Sequence, residues 1–361
     1  MANPPVRFGI MGTGRITRRL IAEIQTTPQA TVTAIGSRSV ERAQWQADNF
    51  GIPHAVGGYE ELIQRDDVDA VYIALPPSLH CQWTATACRA GKHVLCEKPL
   101  AVNADEVQQM FDAADAAGVV MLDATAWLYH DRTEQFRHWL TTTNSRDGCD
   151  LPFQLGTLRH LSASVSFRSP FQSGDHRLDE SLGGGCLLDL GWYAAGLIRF
   201  AAGRLPISVF ADGVRRDGIL SRVSGTMLFD DELTATMSCG FDTATRKWCE
   251  IAGEDASIVC DDFTRPWPDK PARSWVHEAS GKVHSFLAEA DPLPSSGESG
   301  SGVGSQGLCN QERQMVAEFV RRISSDDSIA AQKSMRQALE TQIILDALAK
   351  SIEIGSPVSL D

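Results

Sequence analysis

The sequence predicts an α/β protein in two parts. An N-terminal doubly wound parallel sheet is followed by an α+β domain built on a large, mostly antiparallel open sheet. Three observations predict this. Strand and helix signals alternate up to about residue 123, the pattern that crossover helices impose on a parallel sheet. A glycine-rich turn, Gly9-Ile10-Met11-Gly12-Thr13-Gly14, joins the first strand to the first helix. Further on, period-two segments appear: Thr234, Thr236 and Ser238 alternate with Ala235, Met237 and Cys239, as in a half-buried antiparallel strand.

Taken in order, Val6 to Met11 is an apolar strand ending in glycine. Ile16 to Gln25 places Ile16, Leu20, Ile21 and Ile24 on one side of a helix. Thr31 to Gly36 reads as the second strand and Val40 to Phe50 as a helix. Val68 to Leu75 is a continuous apolar run, the mark of a strand buried on both faces, and Pro76-Pro77 stops it. Leu79 to Ala90 is a helix ended by Gly91, and His93 to Cys96 is a short strand. Ala104 to Ala117 is a helix stopped by Gly118, and Val119 to Leu122 is one more strand. Residues 1–123 are therefore expected to form the dinucleotide-binding domain and 124–361 the substrate-binding and oligomerisation domain. In the latter, Trp127 to Leu140 reads as a helix. Leu155 to Phe167, Ile207 to Val214, Leu220 to Phe229, Leu233 to Phe241 and Lys247 to Ala252 read as strands. Pro294 to Gly307 is a Ser/Gly-rich loop, and helices follow at Gln311 to Ile323 and Ser334 to Ile352. Helices should cover one face of the second sheet. The other face needs a cover too, which favours a homodimer or higher homo-oligomer.

A chain of 361 residues suits two domains, and 43% hydrophobic with 22% charged residues supports a large core. A net charge of −13 argues against general nucleic-acid binding, which needs a basic surface. The nine cysteines show no Cys-x-x-Cys, so neither a metal knuckle nor a disulfide framework is expected. His160 and His176 lack metal spacing, and no metal is expected. There is no signal-peptide pattern and no apolar run of membrane-span length. A reduced, cytoplasmic protein that meets no membrane is the expectation.

The glycine turn carries the first chemistry. Gly12 and Gly14 fill two positions of Gly-x-Gly-x-x-Gly, with Thr17 where glycine or alanine is usual. The first glycines let the chain turn tightly and approach a pyrophosphate, in the manner of a Rossmann domain. The helix N-terminus then presents free N–H groups to the phosphates. Gly12, Thr13, Gly14, Arg15 and Ile16 are the candidate contacts. NAD sites usually carry an acid at the end of the second strand, bonding the ribose hydroxyls. Here Gly36-Ser37-Arg38-Ser39 has none. Arg38 would attract a 2′-phosphate through paired charge-assisted bonds, so NADP is predicted over NAD.

Two segments suggest a proton-transfer set. Glu97-Lys98-Pro99 closes the nucleotide-binding pattern, and Gly183-Gly184-Gly185 leads into Leu188-Asp189-Leu190-Gly191-Trp192-Tyr193. A lysine, an aspartate and a tyrosine could together move a proton on and off a substrate hydroxyl. Asp189 and Tyr193 share a face if one helix runs from Leu187 to Phe200.

These segments also resemble, over nearly the full length, the glucose–fructose oxidoreductase, inositol dehydrogenase and rhizopine-catabolism family (Gfo/Idh/MocA). The resemblance rests on Gly9 to Gly14, on Ala74-Leu75-Pro76-Pro77-Ser78-Leu79-His80, and on Gly91-Lys92-His93-Val94-Leu95-Cys96-Glu97-Lys98-Pro99-Leu100. It continues through Gly183 to Tyr193, Ala338-Leu339-Glu340 and Gly355-Ser356-Pro357-Val358. Ser37-Arg38 and Tyr193 make the chain most similar to the branch of dimeric dihydrodiol dehydrogenases, NADP-linked sugar dehydrogenases and glucose–fructose oxidoreductase. Inositol dehydrogenase-like members usually carry histidine at the place of Tyr193.

The resemblance implies further cofactor contacts at Leu75, Pro76, His80, Glu97 and Lys98, with Glu97 fixing the turn rather than reacting. It implies that Lys98 reaches the substrate hydroxyl and stabilises a developing alkoxide. Its charge would also ease deprotonation of a tyrosine whose ordinary pKa is about 10. Tyr193 would be the general base in oxidation and the general acid in reduction, with Asp189 bonding substrate or orienting Lys98. Trp127 and Arg177 are candidates for lining the substrate pocket. The implied activity is hydride transfer between NADP and a sugar, polyol or cyclic diol. The alternatives are a redox-neutral NAD-dependent glycosidase and a non-catalytic dinucleotide-binding regulator. The intact Lys98, Asp189 and Tyr193 count against the regulator.

Overall fold

Strand β1 (Val6–Met11) forms because Val6, Phe8, Ile10 and Met11 are all buried, which suits a strand covered on both faces. The computed structural model describes residues 4–142, 151–168, 170–267, 270–288, 310–325 and 328–360. After β1 come α1 (Arg15–Thr26), β2 (Ala30–Gly36), α2 (Val40–Phe50), β3 (His54–Val56) and α3 (Tyr59–Ile63). Then follow β4 (Ala70–Ile73), α4 (His80–Arg89), β5 (His93–Cys96), α5 (Ala104–Ala117), β6 (Met121–Asp123) and α6 (Asp131–Thr142). The chain continues with β7 (Leu158–Ser166), α7 (Cys186–Asp189), α8 (Gly191–Ala202), β8 (Ser208–Arg216), β9 (Ile219–Leu228) and β10 (Thr234–Gly240). It ends with β11 (Arg246–Gly253), β12 (Ala256–Cys260), β13 (Arg273–Glu278), β14 (Val283–Leu287), α9 (Asn310–Ser324), α10 (Ser328–Ile354) and β15 (Val358–Ser359).

The chain divides into two compact units that interleave in sequence. One holds the residues up to Leu100, Gln108–His130, α9 and the start of α10 to Met335. The other holds Ala101–Val107, the stretch from Asp131 through β14, and the chain from Arg336 on. The alternation pattern had suggested a single cut at 123/124. A helix that returns from residue 310 carries no strand–helix alternation that would reveal its destination.

The first unit is the doubly wound sheet, ordered β3-β2-β1-β4-β5-β6 with every pair parallel. The order reverses between β1 and β4, and ligand crevices of such sheets open at that switch, beyond the strand ends. Helix α9 seals this unit, with the Phe319 ring 5.8 Å from that of Phe8. The second unit is a nine-stranded sheet ordered β14-β13-β12-β11-β7-β10-β9-β8-β15, antiparallel except for β7 beside β10. Helix α8 packs on β7 and β10, and Leu348 and Ile352 of α10 close on the glycines of β9 and β8.

Several elements differ from the expectation. The strand read as Val68 to Leu75 shortens to Ala70–Ile73. The helix read as Trp127 to Leu140 is a 3-10 turn, Ala126–Tyr129, and then α6, separated by an extended His130 (ψ 140°). Helix α10 begins six residues before the expected Ser334. Strands β3, β12, β13 and β14 and helix α3 were not read from the sequence. The Pro294 to Gly307 segment lies outside the described residues.

Candidate functional site

The first unit carries the candidate nucleotide site. Gly12 has φ +106°, and a Cβ there would stand 2.7 Å from Ala74 O, so both conformation and space demand glycine. Gly14 differs. Its φ is −65°, and among the described residues beyond its own turn a Cβ would meet no atom within 4 Å. It is the exposed N-cap of α1, which has no side-chain cap and no acid in its first turn. Bare N–H groups with open space before them suit a pyrophosphate. Arg15 and Ile16 follow, both exposed.

Thr17 accounts for the missing third glycine. It is fully buried; its hydroxyl donates to Gly14 O at 2.6 Å and stands 3.1 Å from Gln46 Oε1. Gln46, equally buried on α2, donates through Nε2 to Thr13 O at 3.0 Å. The turn is thus held from beneath by two polar side chains. The sequence reading missed Gln46; its signal was a polar residue in the buried stripe Ala43, Gln46, Ala47.

At the end of β2, Ser37 Oγ stands 3.5 Å from Thr13 Oγ1 and accepts from the Ser39 N–H at 3.3 Å. Ser39 caps α2, accepting from the Arg42 N–H, and the carboxylate of Glu41 is held by the Ser39 hydroxyl at 2.7 Å. Arg38 is exposed between them. It lies beside Tyr59, whose pKa burial raises and the guanidinium partly restores.

Lys98 sits just past β5. The Glu97 N–H donates to Ile73 O at 2.9 Å, extending the ladder by one residue. The Glu97 carboxylate braces the turn: the Tyr72 hydroxyl donates to Oε1 at 2.6 Å and the Lys98 N–H to Oε2 at 3.2 Å. Lys98 is half-buried and its bond to Pro99 is cis. Leu75 and Pro76, also half-buried, form the loop beyond β4, and the Leu75 side chain comes within 3.2 Å of a Cβ at Gly12. His80 is buried at the start of α4, its ring among backbone carbonyls. Trp127, a candidate for lining the substrate pocket, is buried at 1% exposure.

The second unit carries Asp189 and Tyr193. Two reasons account for the three glycines. Gly183 and Gly185 have φ +82° and +102°, and a Cβ at Gly184 would stand 2.6–2.8 Å from the carbonyl oxygens of Asp179, His176 and Arg177. The compact knot they permit brings Arg177 to Asp189. Arg177 Nε donates to Asp189 Oδ2 at 2.8 Å and Nη1 to Asp175 Oδ1 at 3.3 Å. Burial opposes the guanidinium's charge, but the two carboxylates outweigh it and its pKa stands above the ordinary value. Arg177 thus binds the Asp189 carboxylate of its own chain. Asp189 itself is 7% exposed.

Asp189 and Tyr193 do not share one continuous helix, as the sequence reading supposed. Helix α7 ends at Asp189, Leu190 turns (φ −106°, ψ −33°), and α8 begins at Gly191. The break lets Gly191 seat closely, where a Cβ would be 3.0 Å from Leu187 and 3.2 Å from Leu345. Tyr193 is half-buried while Trp192, Ala194 and Ala195 around it are buried. Among the described residues no cluster of His, Cys, Asp and Glu forms a metal site, and no helix is long and apolar enough to cross a membrane.

A parallel sheet with a bare glycine-turn helix, followed by an open-sheet unit bearing an Asp–Tyr segment, defines a two-part dinucleotide oxidoreductase architecture. Residues 6–124 match the model of the oxidoreductase family with NAD-binding Rossmann fold, GFO_IDH_MocA, and residues 154–259 match the GFO/IDH/MocA C-terminal domain. The chain is 30% identical to the D-xylose 1-dehydrogenase (NADP(+)) 2 of Haloferax volcanii, over 98% of this chain and 99% of that protein. It is 38% identical to the dTDP-3,4-didehydro-2,6-dideoxy-alpha-D-glucose 3-reductase of Actinomadura kijaniata, over 75% of this chain and 80% of that one. A crystal structure of a 3-ketoreductase from the same organism, in complex with NADP and TDP-benzene, shares the fold. Its TM-score is 0.80 at 24% identity, covering 96% and 98% of the two chains. The chain belongs to the Gfo/Idh/MocA oxidoreductase family.

Proposed function

We propose that the chain is an NADP-dependent dehydrogenase or reductase acting on a hydroxyl or carbonyl carbon of a sugar, polyol or cyclic diol. The observation that carries the proposal is Gly14: a helix N-terminus without a side-chain cap, where a Cβ would meet none of the described residues beyond its own turn within 4 Å. The acid-free Ser37-Arg38 segment supports NADP over NAD, and NADP(+) stands in the names of the xylose and scyllo-inositol dehydrogenases among its relatives. NADP, when bound, accepts or returns the hydride. The protein's share is positioning and charge. The α1 N-terminus holds the pyrophosphate, and Arg38 pairs with the 2′-phosphate. Lys98, braced by Glu97, stabilises the negative charge that develops on the substrate oxygen. Tyr193 takes the hydroxyl proton in oxidation and returns it in reduction. Asp189, anchored by Arg177, accepts a hydrogen bond from a substrate hydroxyl.

The test is absorbance of reduced nicotinamide. Protein is mixed with NADP or NAD and with D-xylose, other aldoses, polyols, inositols and cyclic diols. Reduction of NADP by one of these classes supports the reading. NADPH binding without turnover on any class, in either direction, sinks it. We further propose a homo-oligomer formed through the open face of the second sheet.

A further inference from the structure

We propose that His80 is a positioning residue for the Lys98 turn and that it works as an imidazolium, with a proton on each ring nitrogen. Its Nδ1 lies 3.0 Å from Pro99 O and 3.2 Å from Leu100 O. Its Nε2 lies 2.9 Å from Leu75 O. Carbonyl oxygens only accept hydrogen bonds, whereas a neutral imidazole has one donating and one accepting nitrogen. In either neutral tautomer one side of the ring would set a lone pair against a carbonyl lone pair at hydrogen-bond distance. Turning the ring over does not help, because it puts carbon atoms against all three oxygens. The ring is 1% exposed, so these carbonyls are its surroundings rather than bulk water. Two N–H donors satisfy both sides at once.

The two sides belong to two loops of the same unit. Leu75 lies on the loop beyond β4 whose Ala74 carbonyl walls off Gly12. Pro99 and Leu100 directly follow Lys98. The ring therefore ties the wall of the glycine turn to the backbone that carries the lysine. Glu97 holds the Lys98 N–H before the bond to Pro99, and His80 holds the two carbonyls after it. Loss of either ring proton releases one of the loops. The other ionisable groups on these segments are Glu97 and Lys98 on the turn and Cys81, Cys88 and Arg89 on α4; the 74–79 loop has none.

The structural part stands on this geometry alone; the catalytic consequence rests on the reading of Lys98 given above. Nuclear magnetic resonance of protein carrying 15N-labelled histidine, at neutral pH, reads the two ring nitrogens of His80 directly. Both are expected at the shift of a protonated nitrogen. One at the unprotonated shift overturns the proposal, whether or not the protein is an enzyme. Steady-state kinetics with NADP and D-xylose complete the test. H80Q should lower kcat by roughly tenfold to a hundredfold, as small misplacements of catalytic groups do, with KM for NADP little changed. An unchanged kcat overturns the positioning role. If the wild type is inactive on D-xylose or the variant does not fold, the nitrogen shifts of the wild type decide.

Discussion

At the scale of single residues, the two fingerprint glycines should separate under mutation. Gly12→Ala forces a Cβ to within 2.7 Å of a carbonyl at positive φ, so it should destabilise the first unit and lower the thermal midpoint. Gly14→Ala meets none of the described residues beyond its own turn within 4 Å and adopts an ordinary φ, so stability should stay within about 0.5 kcal/mol. NADPH affinity should nonetheless fall severalfold or more, because the methyl occupies space kept for the pyrophosphate. Unchanged affinity in Gly14→Ala would place the phosphates elsewhere. Arg38→Ala should weaken NADPH more than NADH; equal loss for both would remove Arg38 from the 2′-phosphate. Tyr193→Phe should lower turnover by about 10²–10⁴-fold with NADPH binding nearly intact, and wild-type turnover would end its proton-transfer role. Much of this was legible in the chain, because a glycine turn, an acid-free strand end and the Glu97-Lys98-Pro99 segment are contiguous. The Arg177–Asp189 pair was not. Its members lie twelve residues apart, and only the knot at Gly184 shows why they meet.

At the scale of elements, α8 carries Tyr193 and is fastened to α10 by charge. Arg199 pairs with Glu340, both are 7% exposed, and Arg336 reaches the same carboxylate at 2.7 Å. Removing Arg199 leaves the buried Glu340 carboxylate with the largely exposed Arg336 as its remaining guanidinium partner. Arg199→Met should therefore cost less than the ~3–5 kcal/mol of a fully unpaired buried charge, about 1–3 kcal/mol, read as a lower urea midpoint at unchanged m-value. Adding Glu340→Leu should recover most of that loss, since an apolar pair of similar volume replaces buried ions at little cost. No recovery in the double variant would show that the pair contributes more than mutual compensation. The same helix shows where sequence patterning runs out. Apolar periodicity runs straight through Leu190, yet the helix breaks there, where Gly191 leaves no room for a side chain beside Leu187 and Leu345, the latter over 150 residues away. Strand β13 escaped notice for another reason. Ser274 and Val276 face inward between Arg273, Trp275 and His277, so the buried row is too polar and too short to show alternation.

At the scale of the whole molecule, the nine-stranded sheet presents one face that its own helices do not cover. The register shows what lies there. One row crosses five strands as Trp248, Ser164, Ser238, Ser224 and Asp212, and the next as Glu250, Ser162, Thr236, Thr226 and Phe210. A belt of small hydroxyl side chains is thus flanked by rings, and Trp248 and Phe210 are 51% and 45% exposed, with Leu228 beyond them at 47%. The belt lets a second flat surface approach closely, while the flanking apolar groups favour removal from water. Nine strands about 4.8 Å apart span roughly 38 Å, enough for the ~800 Å² per partner of a standard interface. In the homo-oligomer proposed above, a second copy of the chain would meet this face by two-fold symmetry, the same face serving both partners. Light scattering should then give at least twice the chain mass for the wild type. Phe210→Glu combined with Trp248→Glu should give the single-chain mass, because each copy would bring two carboxylates to a face being desolvated. NADPH affinity should survive in that variant, since the glycine turn belongs to the other unit. A wild type that scatters as a single chain at micromolar concentration would refute assembly through this face, and dissociation accompanied by loss of NADPH binding would show that the nucleotide site depends on it.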